Sequence, residues 1–130
     1  MIRSRLLQGR AVARIISSRG LSTQQYHEVA DECLESILAA YEALSEKVPE
    51  VEVELSQGVL SLELPHLGAY VINKQPPNKQ IWLASPVSGP KRFDYVDEKW
   101  VYARDKSTLG AILKSETLQA VNQELGLDLE

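Results

Sequence analysis

Downstream of Ser22 the chain changes hydrophobic rhythm twice. Ala30, Leu34, Ile37, Tyr41, Leu44 and Val48 recur at steps of three, four or seven, which places them along one side of a helix. This predicts a helix over about 23–47. Ser22 or Thr23 opens it, Gln25 is placed to close a capping box on Ser22, and Pro49 stops it. The period then drops to two. Val51, Val53 and Leu55 alternate with Glu50, Glu52 and Glu54, and Leu60, Leu62 and Leu64 alternate with Ser61 and Glu63, the pattern of half-buried strands. Further strands are predicted over 69–75 and 79–84, and shorter ones around 92–96 and 100–103. Gln57-Gly58, Pro65 to Gly68, Pro76-Pro77-Asn78 and Ser88-Gly89-Pro90 punctuate them. Ser107 or Thr108 opens a last helix, with Leu109, Ile112, Leu113, Val121 and Leu125 on or near one face.

Short connections force neighbouring strands to run antiparallel. Two helices with one apolar stripe each, and a sheet with one apolar face, have an economical solution. The expected fold is α+β: a two-layer sandwich with both helices on one face of an antiparallel sheet. The other sheet face is left for water or a partner.

Residues 1–22 differ from all this. They hold Arg3, Arg5, Arg10, Arg14 and Arg19, no acid, and interleaved apolar residues. That composition is expected of a mitochondrial transit peptide, with a folded domain over 23–130. Beyond it, nine basic residues face eighteen acidic ones, the wrong balance for nucleic acid. No apolar run approaches the ~18 residues of a membrane span. One cysteine and two histidines exclude an intrachain disulfide and the usual Cys/His zinc sites. Cys33 falls near the apolar edge of the first helix, where a buried inert thiol is expected.

The acids are not scattered. At about 100° per residue, Glu28, Glu32, Glu35, Glu42 and Glu46 share an arc opposite the apolar stripe, with Asp31 at its margin. Such neighbours repel by a few tenths of a kcal/mol per pair, and the helix carries a single lysine, Lys47. Glu50, Glu52 and Glu54 add carboxylates on the next strand. A face of this kind suits hard cations held by oxygen, or a basic protein, or simply water. His27 is a candidate extra ligand at its end. On the sheet, Asn73, Gln75, Gln80 and Trp82 are candidates for the open face, where a tryptophan among amides has the make-up of an interface hot spot. No Gly-rich phosphate loop or hydrolytic triad is present.

The run TyrValIleAsnLysGln (70–75), ProProAsnLysGlnIleTrpLeuAlaSerPro (76–86) and SerGlyProLysArgPheAsp (88–94) resembles the frataxins, and the likeness extends from about Tyr26 to Ala120. It implies an iron-binding accessory protein of iron–sulfur cluster assembly in the mitochondrial matrix. By that resemblance, iron (Fe2+/Fe3+), held weakly and reversibly, falls to His27, Glu28, Asp31, Glu32, Glu35, Glu52 and Glu54. Contact with a cysteine desulfurase and its scaffold protein falls to Asn73, Lys74, Gln75, Gln80, Trp82 and Arg92. The expected state is a monomer, with iron-dependent oligomers as the alternative. A ferroxidase or iron-storage role is the alternative function, although no catalytic residue is assigned. Ala39 and Ala40 stand where relatives often carry acids.

Overall fold

The computed structural model describes residues 20–129. The transit peptide expected over 1–22 lies almost wholly outside the described residues. Helix α1 spans Thr23–Lys47, followed by strands β1 (Glu52–Ser56), β2 (Val59–Leu64), β3 (Gly68–Gln75), β4 (Gln80–Ser85), β5 (Gly89–Val96) and β6 (Lys99–Tyr102), then helix α2 (Leu109–Val121). The six strands form one antiparallel sheet in sequence order. Both helices pack on one of its faces, the two-layer sandwich the alternation predicts.

Local chemistry explains the ends. The Ser22 hydroxyl accepts from the Gln25 backbone N–H at 3.0 Å, and the Gln25 side chain accepts from the Ser22 N–H at 2.9 Å. This reciprocal pair satisfies two otherwise orphan donors. The Thr108 hydroxyl caps α2 by accepting from Ala111 N–H. α2 is shorter than the apolar spacing suggests. Asn122 adopts a left-handed conformation (φ 56°) and ends it at Val121, so Leu125 is buried by an irregular tail rather than by the helix. β1 and β2 join through Gln57-Gly58 with both φ positive (51° and 78°), the geometry that matches strand twist in a two-residue hairpin. A Cβ at Gly58 would press on the Lys74 side chain at 3.3 Å.

The core lies between the layers. Leu60, Leu62, Leu64, Tyr70, Ile72, Ile81, Leu83 and Phe93 meet Tyr26, Ala30, Leu34, Ile37 and Tyr41 of α1 and Leu109 and Leu113 of α2. Cys33 is buried among them, as expected, and burial pushes its thiol up to about 12. A buried polar cluster joins the layers. Glu116 of α2 accepts hydrogen bonds from the Tyr70 and Ser85 hydroxyls at 2.7 Å each. Next to it, Tyr41 and Thr117 share a hydrogen bond of 2.7 Å. No helix among the described residues is long and apolar enough to cross a membrane.

Candidate functional site

Strand register sorts the polar residues onto two faces. Asn73, Trp82 and Arg92 stand opposite one another on β3, β4 and β5, and Gln75 stands opposite Gln80. Their neighbours Ile72, Ile81, Leu83 and Phe93 are buried against the helices, so these five residues occupy the face that no helix covers. This settles the placement of Trp82, which alternation alone left open. The Arg92 guanidinium lies 4.6 Å from the centre of the Trp82 ring, within cation–π range. The indole Nε1–H donates to Gln80 Oε1 at 2.8 Å, and Gln80 Nε2–H donates to Asp94 at 3.1 Å. Asn73 Nδ2–H is turned back onto the Lys74 carbonyl. A shallow groove of about 640 Å³ runs beside Trp82, between Asn73 and Arg104.

Lys74 does not belong to this face. It pairs in register with buried Ile81, points to the helix side, and forms an ion pair with Asp31 of α1 at 2.7 Å. Alternation between Asn73 and Gln75 already forbids the three from sharing one surface. Asp94, which the sequence reading did not single out, does share it. Its parity with Arg92 was the available signal.

On α1, Glu28, Asp31, Glu32 and Glu35 are all exposed, while His27 is half-buried with its ring edge-on to Tyr26 at 5.2 Å. Glu52 and Glu54 are exposed too, but on the other side of the sheet from the helices: Val53, between them, pairs with buried Leu62. Glu52 instead stands opposite Glu63, which sequence reading left out of the candidate set. The expected single ridge is therefore two acidic patches, one on the helix layer and one on the outer face of β1 and β2. Among the described residues no three His, Cys, Asp or Glu side chains gather closely enough to hold one metal ion.

One residue ties the two candidate surfaces together. Tyr26, in the first turn of α1, donates its hydroxyl to the Gln80 carbonyl at 2.7 Å and accepts the Gln75 N–H at 3.0 Å. The phenol is thus inserted into the last rung of the β3–β4 ladder. Burial pushes it up to about 12. Lys79, left-handed at the hairpin tip, donates to the Leu21 carbonyl just ahead of α1.

Comparison with known proteins agrees with this architecture. A family model described as the frataxin-like domain matches residues 19–123. The mitochondrial frataxin homolog of Saccharomyces cerevisiae is 51% identical over 105 residues, covering 79% of this chain and 60% of that protein. Mitochondrial frataxin of Caenorhabditis elegans is 42% identical over 118 residues, covering 87% of each. A crystal structure of trimeric yeast frataxin in a ferrous complex superposes with a TM-score of 0.68 at 52% identity, over 73% of this chain and 87% of that one. With the sheet order, the two packed helices and the 70–94 surface already in place, these matches show that the chain belongs to the frataxin family.

Proposed function

We propose that this chain is an iron-binding accessory protein of mitochondrial iron–sulfur cluster assembly. It docks on a cysteine desulfurase–scaffold complex and serves it as iron chaperone and activator. The observation that carries the docking role is the Trp82–Arg92 stack on an uncovered sheet face. Tryptophan and arginine are the residues that most often dominate binding energy at interfaces. Here both are held by neighbours, so little side-chain freedom is lost on association.

Iron is the cargo, and the α1 acids are its candidate donors. They offer hard oxygen ligands suited to Fe(II) and Fe(III). Because they do not converge on one point, each ion meets one or two carboxylates and keeps water for its other ligands. Such binding is weak and reversible, as a donor of iron requires. The family's mitochondrial relatives support a mitochondrial location, which we take to be the matrix, and the yeast trimer supports self-association as a further state of the monomer.

Docking is tested with Trp82→Ala added to a reconstituted desulfurase–scaffold pair. Sulfide production should fall to the unstimulated rate, with an unchanged circular dichroism spectrum. Full stimulation by this variant would reject the sheet face as the docking surface.

A further inference from the structure

Trp82 is clamped on two sides, and only one clamp follows from its being next to Arg92. The other is a relay. Asp94 accepts from Gln80 Nε2–H at 3.1 Å, which turns the amide so that Oε1 faces β4's own Trp82 and accepts the indole N–H at 2.8 Å. A glutamine amide without a fixed partner on its nitrogen can rotate by half a turn and present N–H instead. An N–H facing an indole N–H is a clash of two donors, since the indole has no acceptor to offer. The carboxylate of Asp94 removes that ambiguity because it only accepts. Gln80 cannot shift along the strand to escape, because its carbonyl is held by the Tyr26 hydroxyl.

We infer that Asp94 is a positioning residue of the docking surface: through Gln80 it fixes the orientation of the Trp82 indole, so that the tryptophan meets its partner as a rigid anchor. The inference rests on the docking reading given above. Asp94 is half-buried on the same face and lines the groove beside Trp82, but in this role it acts through Gln80 rather than by touching the partner. A pre-set anchor loses less freedom on binding, and the apparent affinity scales with the fraction of molecules in the competent orientation. The effect of Asp94 is therefore on that fraction.

The test compares Asp94→Ala with Asp94→Asn, alongside Trp82→Ala and the unaltered chain. Both Asp94 variants lose the same charge beside Arg92, but asparagine keeps an oxygen able to accept from Gln80. Two quantities are read. One is the exchange rate of the Trp82 indole N–H by NMR, with the buried Trp100 indole as internal reference. The other is the dissociation constant for a purified desulfurase–scaffold pair. Asp94→Ala should speed Trp82 exchange about tenfold and raise the dissociation constant about three- to tenfold, whereas Asp94→Asn, whose amide can present either its oxygen or its N–H to Gln80, should fall between the parent and Asp94→Ala in both.

If Trp82→Ala weakens binding while Asp94→Ala changes neither quantity, the positioning role is wrong and the docking reading stands. Equal weakening by both Asp94 variants with unaltered Trp82 exchange would make Asp94 a direct charge contact, which also overturns the inference. Undiminished binding by Trp82→Ala removes the docking reading itself.

Discussion

The most informative single atom for the fold is the Tyr26 hydroxyl. In Tyr26→Phe the ring stays in the core and only the oxygen is lost. The Gln80 carbonyl then loses its donor at 2.7 Å and the Gln75 N–H loses its acceptor at 3.0 Å. Tyr26 is fully buried, so water does not readily take the oxygen's place. A buried polar group left without a partner costs about 1–3 kcal/mol. Two such groups would cost about 2–6 kcal/mol if nothing moved. Some of this is recovered if the strand ends draw together and restore a direct rung. A net loss of about 2 kcal/mol is expected. With a urea dependence of about 1.5–2 kcal/mol per molar, the unfolding midpoint should drop by about 1 M. Equilibrium urea unfolding, followed by circular dichroism, measures it. The slope should be unchanged, because the same surface is exposed on unfolding. A drop of less than 0.2 M, or roughly 0.4 kcal/mol, would mean that the rung closes directly and the phenol is only a filler. In that case the Tyr26 hydroxyl would not couple the helix start to the β3–β4 hairpin.

Two further outcomes follow from the same geometry. Lys74→Met keeps the stem that packs by Gly58 but frees Asp31 from its cation, so Fe(II) binding measured anaerobically by calorimetry should tighten by about two- to fivefold, the range of a partly exposed ion pair. Unchanged or weaker binding would place Asp31 outside the iron site. The second outcome concerns alkali. Burial pushes the Cys33 thiol and the Tyr26 and Tyr95 phenols up to about 12, and the Tyr41 phenol higher still. The unfolded chain releases these protons near their ordinary values, about 8.5 for the thiol and 10 for the phenols, while the folded chain retains them. Stability should hold up to about pH 8.5 and then fall steeply. Above pH 10 a buried phenol such as Tyr41 removes about 1.4 kcal/mol per pH unit. A urea midpoint that stays flat to pH 11 would show that these groups titrate as freely folded as unfolded.

Much of this molecule is legible from alternation alone. Each strand has one row of large apolar residues, so shifting its register by one would turn that row to solvent and bring polar positions such as Glu52, Glu63, Asn73, Gln80 or Arg92 inward, and the sheet has only one workable pairing. The capping box at Ser22 and the stop at Pro49 are local chemistry and read directly. What resisted reading depends on through-space facts. Leu125 sits four residues after Val121 and mimics a helical step, yet Asn122 turns left-handed and an irregular tail buries Leu125. The β5–β6 turn places Asp97 and Glu98 at positive φ (52° and 66°) without a glycine, so no composition signal announces it. The parity of the β1 acids is legible, and because the helices must cover the apolar face it puts Glu52 and Glu54 on the side away from α1. Joining them to the α1 acids in one ridge therefore runs against that parity. The resemblance puts Lys74 on the face of its neighbours, against its own parity. The Asp94–Gln80–Trp82 relay needed the register of three strands, which only the pairing supplies.

The central claim is that the chain carries iron on the solvent side of α1. An anaerobic Fe(II) titration of the 15N-labelled chain by NMR tests it most directly. Paramagnetic broadening should appear first at residues 28–35. It should extend to Lys74 as Asp31 changes partner, while the Trp82 indole and the buried Thr117 amide stay sharp. Broadening that spreads evenly over all exposed acids, or none at stoichiometric iron, would contradict the account and leave the helix a solvated acidic face.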